Sequence, residues 1–135
     1  MRPLLINGEW LTTSHAADNI NPSNTSDVID SFAQAGLAET QDAISAADAA
    51  FASWSLSTPQ SRHDILKTAG DEIMRRKDEI GELLSREEGK ILSEGIGETV
   101  RAAQIFLFFA AVALRLTGDK VASVRPGVEV DITRE

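Results

Sequence analysis

Ile105-Phe106-Leu107-Phe108-Phe109-Ala110-Ala111-Val112-Ala113-Leu114 is the stretch on which the fold turns, because it has no polar face. A run of ten is too short to cross a bilayer, which takes about 20 apolar residues, so it predicts a helix buried nearly all round. A small domain can hardly surround such a helix alone. Fully burying one large apolar side chain is worth about 1.5–3 kcal/mol, against a total stability of about 5–15 kcal/mol. The cover is therefore expected from a second copy or from more chain.

Downstream, Val128-Glu129-Val130-Asp131-Ile132 alternates apolar and acidic residues after the turn Pro126-Gly127. That period of two predicts a half-buried strand in need of a neighbour. The expectation is either an incomplete unit or pairing with a strand near the N-terminus. Upstream, the apolar helix is expected to start at the N-cap Ser93 and to run to about Leu116, with Gly118 in the exit.

Before it, Thr58-Pro59 is an N-cap and first-turn pair for a helix carrying Ile65, Leu66, Ala69 and Ile73 on one stripe. The stripe resumes after Arg75-Arg76-Lys77 at Ile80, Leu83 and Leu84, and Gly89-Lys90 ends it. Asp71 with Arg75, Glu72 with Arg76 and Glu82 with Arg86 are acid-before-base pairs four apart, expected on a solvated face. From about Glu39, Ile44, Ala47, Phe51 and Trp54 form another helical stripe. Toward the N-terminus, residues 4–6 and Glu9-Trp10-Leu11-Thr12 flank Asn7-Gly8 as a hairpin. Val28 to Ala33 reads as a strand after the turn Asn21-Pro22-Ser23-Asn24.

The 135 residues have the length of one ordinary domain, and the net charge of −8 is shared by both halves. Neither half is basic, which argues against a nucleic-acid phosphate footprint. Cysteine is absent, which excludes disulfides, thiolate nucleophiles, iron–sulfur clusters and cysteine zinc sites within these residues. The apolar run of residues 1–8 is too short for a secretory segment and no small-residue cleavage pattern follows it, so a cytoplasmic location with no membrane partner is expected.

Candidate chemistry is sparse. His15 and His63 stand apart and have no companion ligands, which favours surface or packing roles over metal binding. Gly95-Ile96-Gly97 begins like a dinucleotide fingerprint, but Val100 replaces the third glycine and no βαβ unit surrounds it. Glu87 and Glu88 are adjacent on a helix and point about 100° apart, so they do not flank one substrate atom. Neither a G-x-S-x-G elbow nor a phosphate loop is present. No catalytic or cofactor-binding residue is assigned to the chain.

Six local signatures occur in order: Ile6-Asn7-Gly8-Glu9-Trp10, Asn21-Pro22-Ser23-Asn24, Ala49-Ala50-Phe51-Ala52-Ser53-Trp54, Arg62, Glu88-Gly89-Lys90, and Val130-Asp131-Ile132-Thr133-Arg134-Glu135. Together they resemble the N-terminal region of the NAD(P)-dependent aldehyde dehydrogenase superfamily, over residues 4–135 and about the first quarter of a member. The resemblance implies an α/β fold of which this chain holds a short hairpin and strand, about four helices and a terminal strand. Residues 1–127 would be the mostly helical N-terminal part of the cofactor-binding domain. Residues 128–135 would start the strand leading into the oligomerisation arm.

In that family a cysteine thiolate attacks the aldehyde, the hemithioacetal gives hydride to NAD or NADP, and a glutamate activates water to release the carboxylate. The nucleophile and the cofactor segment would lie outside these 135 residues, so the chain alone is expected to be inactive and to bind no cofactor. Its expected partners are the remainder of the dehydrogenase chain and, in the complete enzyme, further copies in a dimer or tetramer. Some members hold a monovalent cation at positions matching Asn19 and Ile20, through main-chain oxygens, and Glu87. Ile20 to Thr25, Ser85 to Lys90 and Arg125 to Val130 are similar to the branch that oxidises 2-oxoglutarate semialdehyde (2,5-dioxopentanoate). The alternative from another class is a non-enzymatic helical module that oligomerises through residues 105–114.

Overall fold

A computed structural model describes residues 1–133. The last two residues of the sixth signature, Arg134 and Glu135, and the end of the expected 128–135 segment lie outside the described residues. Strands β1 (Leu4–Ile6) and β2 (Glu9–Leu11) form the expected hairpin. Its two turn residues, Asn7 and Gly8, have φ of 52° and 79°, the left-handed pair that matches the twist of a two-residue loop.

Strand β3 (Ala16–Ile20) pairs antiparallel with β4 (Val28–Ala33), with a register shift after Asn19. Sequence reading had no strand at 16–20, since Ala-Ala-Asp-Asn is poor in β-branched residues. The lone strand at 28–33 needed such a partner, which was the available signal.

Helix α1 (Leu37–Trp54) begins two residues earlier than expected, where the Gly36 N–H donates to the Glu39 carboxylate at 2.8 Å. Its Ile44, Phe51 and Trp54 lie exposed, because its main packing among the described elements is the short strand β1. Helix α2 (Pro59–Arg75) is capped by Thr58, whose Oγ1 accepts from the Ser61 N–H at 3.1 Å. The continuous helix expected to Gly89 is broken at Arg76, which leaves helical geometry (φ −100°, ψ 18°) before α3 (Lys77–Glu88). Bidentate bonds of Arg75 to Glu72 and of Arg76 to Glu79 flank the break. The expected partnerships of Asp71 with Arg75, Glu72 with Arg76 and Glu82 with Arg86 are replaced, and Asp71 instead meets Lys67.

Helix α4 (Leu92–Ala113) starts after Ile91 rather than Ser93, and stops short of Leu116. Gly89 closes α3 at φ 68°, Ile91 is extended (φ −70°, ψ 148°), and its carbonyl accepts the N–H groups of Glu94 and Gly95. The α2–α3 pair runs antiparallel to α4 along a seam of glycines. A Cβ on Gly70 would lie 3.0 Å from Leu107, and one on Gly81 would lie 2.7 Å from the Ile96 backbone. Eleven residues separate the two contacts on each partner, about three turns along α4, so the same face of α4 meets α2 and then α3. His63 Nδ1 lies 2.9 Å from the Ala110 carbonyl oxygen, so that nitrogen donates its proton and ties α2 to α4.

The buried core consists of small residues: Ala33, Ala103, Ala110, Ala113, Ser85 and Thr99. As expected of an apolar helix that a chain of this size can hardly surround, α4 is left partly uncovered: Phe108 is 62% and Phe109 52% exposed within this chain. The seam takes Leu107 and Ile96 only where Gly70 and Gly81 face them, and the phenylalanines lie outside it. With 22 residues α4 is long and apolar enough to cross a membrane by length and composition. Glu94, Glu98 and Arg101 in its first half would be costly in hydrocarbon, and its Gly95, Thr99 and Ala103 are taken up by α2 and α3.

Strand β5 (Asp119–Ala122) pairs antiparallel with β6 (Glu129–Ile132), with Val121 opposite Val130. The closing strand thus finds its neighbour in the segment just before it, not near the N-terminus. Gly127 turns the chain at φ 74°.

Candidate functional site

Asn19, the Asn21-Pro22-Ser23-Asn24 turn, Glu87 and Gly89-Lys90 meet at one junction, where the turn after β3 meets the end of α3. Asn21 shapes that turn: its Oδ1 accepts from the Ser23 N–H at 2.9 Å, and its N–H donates to the Asp27 carbonyl at 3.0 Å. On the facing side, the left-handed Gly89 lets Lys90 donate its N–H to the Ser85 carbonyl at 3.1 Å. The two backbones nearly touch. A Cβ on Gly89 would fall 2.5 Å from Ser23 Oγ and 2.9 Å from Pro22, and Ser23 Oγ donates to the Gly89 carbonyl at 2.8 Å.

Across this contact Asn19 Nδ2 donates to Glu87 Oε1 at 2.7 Å, joining residues 68 apart in the chain. Ile20 follows at the strand end with its side chain half-exposed. Beside them Arg86 forks onto Asp27, with Nε 3.0 Å from Oδ2 and Nη2 2.6 Å from Oδ1. Asn21 Nδ2 adds a bond to Oδ2 at 3.1 Å. Sequence analysis missed this pair, having matched Arg86 with Glu82 one turn away. Only the fold brings residue 27 to residue 86, so no local signal could have revealed it.

The Arg86 guanidinium, then the Asn21 amide, hold the Asp27 carboxyl below its ordinary value of 3.8. A folded value below the unfolded one means that Asp27 contributes stability above the ordinary carboxyl value, lost as pH falls through the folded value. Thermal melts across the acid range are expected to show Asp27→Asn losing less stability than the parent below about pH 4. Parallel curves for the two would refute this.

Lys90 lies next along the chain, its side chain 16% exposed, between Glu98 at 2.7 Å and Glu88. The two glutamates, then, part company: Glu87 serves Asn19, and Glu88 serves Lys90. Nothing here forms a nucleophile with a base, or a carboxyl pair across a substrate. Among the described residues, no group of three or more His, Cys, Asp or Glu could hold a metal.

With this geometry in view, the profile of the aldehyde dehydrogenase family matches residues 10–135, and the chain belongs to that family. Among its relatives, the α-ketoglutarate semialdehyde dehydrogenase of Haloferax volcanii is 35% identical over 96% of this chain and 27% of its own. A 1-pyrroline-5-carboxylate dehydrogenase of a Geobacillus species is 35% identical over 93% of this chain and 24% of its own. The structure of betaine aldehyde dehydrogenase from Staphylococcus aureus, solved with NAD⁺, matches with a TM-score of 0.86 at 28% identity, over 96% of this chain and 27% of that one. An Escherichia coli NADP-dependent enzyme matches with a TM-score of 0.84 at 35% identity, over 93% and 26%. The chain thus spans about a quarter of the length of the relatives it matches. The fold is the N-terminal part of that superfamily.

Proposed function

We propose that these residues are the scaffold of the cofactor-binding domain in an NAD(P)-dependent dehydrogenase that oxidises a carboxylate-bearing semialdehyde, and that alone they transfer no hydride. The observation that carries this reading is family membership combined with the absence of any cysteine in the sequence. The family chemistry needs a thiolate, and no other residue here replaces it. The Haloferax volcanii relative and the Escherichia coli succinate-semialdehyde dehydrogenase, 36% identical, both act by name on semialdehydes, which supports the substrate class. The 2-oxoglutarate semialdehyde branch is the particular form of this reading.

Residues 1–127 form the mostly helical part of the cofactor-binding domain, and 128–135 lead into the oligomerisation arm. Because β6 pairs with Asp119–Ala122, the arm's hairpin straddles residue 127. The exposed faces of α1 and α4 receive the remainder of a dehydrogenase chain, in a cytoplasmic homo-oligomer. A monovalent cation is held by the main-chain oxygens of Asn19 and Ile20 with the Glu87 carboxylate. The ion supplies charge neutralisation that fastens strand to helix, while Asn19 orients Glu87 through its amide.

Incubating the purified 135 residues with succinate semialdehyde and either NAD⁺ or NADP⁺ is expected to give no increase in reduced nicotinamide. Turnover above the protein-free rate would overturn the reading. Potassium or sodium, against tetramethylammonium at equal ionic strength, is expected to raise the melting temperature, and Glu87→Gln to abolish the rise. A second reading, a self-sufficient oligomerising module, draws on the exposed Phe108 and Phe109. A single defined oligomer with cooperative melting would favour it.

A further inference from the structure

We propose that the β3–β4 hairpin is a strap buckled onto the end of α3, and that the Asp27–Arg86 pair is the buckle that positions it. Three features carry this. First, the hairpin's side-chain bonds to the helices fall on Arg86, Glu87 and Gly89, within one turn, through Asp27, Asn19 and Ser23. Second, the union has little apolar adhesion: Ile20 is 45% and Val28 52% exposed, and Phe32 is exposed as well. Third, β1–β2 ties the hairpin to α1, on which β1 packs, and the main packing of β1 is not on α2, α3 or α4. Arg2 bridges to Phe32 and pairs with Asp30, so the N-terminus rides on the strap.

Apart from the buried Ala33 at its far end and Pro22 over Gly89, polar contacts set where the strap lies. Asn19 and Ser23 each provide one bond, which fixes a distance and leaves rotation open. Arg86 provides two bonds in a plane to a carboxylate that Asn21 also holds, which fixes orientation. Gly89 is the seat: its missing Cβ lets Pro22 and Ser23 come down on the helix end. A cluster with these properties opens locally and as a unit, leaving the helical seam intact. The pair acts on the same junction as the proposed cation site, but it needs no ion.

Hydrogen–deuterium exchange of the whole chain at neutral pH, without sodium or potassium, tests this. In Arg86→Gln and in Asp27→Asn, amides of the 16–33 hairpin are expected to exchange about tenfold faster, the loss of a charge-assisted bond. Amides of 92–113 should keep their parental rates. The charge-reversed double variant, Asp27→Arg with Arg86→Asp, is expected to recover slow exchange, which a merely structural loss would not. Unchanged hairpin rates in the single variants would overturn the proposal. So would equal acceleration in α4, failure of the reversal to recover, or a hairpin already unprotected in the parent.

Discussion

Gly95→Ala is expected to destabilise the helical unit by about 2 kcal/mol or more, although alanine is the better helix former by about 1 kcal/mol. The new Cβ would sit 2.2 Å from Ser85 Oγ and 2.4 Å from the Gly81 carbonyl oxygen. Ser85 can rotate away, at the cost of its 2.8 Å bond to the Gly81 carbonyl. The carbonyl is backbone inside α3 and cannot move without parting the two helices, so repulsion outweighs propensity. Gly97 supplies the control two residues on, since a Cβ there meets nothing within 4 Å. Gly97→Ala should stabilise by about 0.5–1 kcal/mol. Urea unfolding followed by far-ultraviolet circular dichroism separates the pair, and equal midpoints for both variants would refute the seam.

The second large effect concerns the outer face of α4. Phe108 and Phe109 meet edge to face, their centroids 5.3 Å apart, and more than half of each remains exposed. Beside them a groove of about 360 Å³ is lined by Trp54, Ile65, Leu66, Phe109 and Val112. Covering the exposed parts of the two phenylalanines alone is worth about 5 kcal/mol, at about 25 cal/mol per Å² and about 200 Å² a ring. The isolated chain is therefore expected to self-associate at micromolar concentration, with no single stoichiometry. Phe108→Ser with Phe109→Ser should return it toward monomer in sedimentation velocity, with the helical spectrum retained. A parent chain that sediments as monomer at every concentration would defeat this expectation.

Sequence patterns recovered elements whose signals are local. Asn7-Gly8 carries its own turn geometry, Thr58-Pro59 its own cap, and Gly89 its own left-handed stop. What escaped depended on partners. Ala16–Ile20 and Asp119–Ala122 are strands because β4 and β6 lie beside them, not through their composition. The break at Arg76 leaves the apolar stripe in phase on either side, so periodicity alone could not register it. At the junction, the family resemblance picked out Asn19 and Glu87, and the structure brings their side chains together. Asp27 has no such signal, because a loop residue 59 positions from its partner has no periodic signature, and Ser23 is legible as a turn residue but not as the partner of Gly89.

The glycine seam has a consequence for anyone who would redesign this piece. Packing by notches assigns geometry to the inner surface of α4 and adhesion to the outer, with almost no residue serving both. The two surfaces are in effect separate texts on one helix. An engineer can rewrite the outer one with charged residues to obtain a free-standing bundle, or graft onto it the complement of another protein. A single methyl group on the inner one undoes the angle at which everything else is presented.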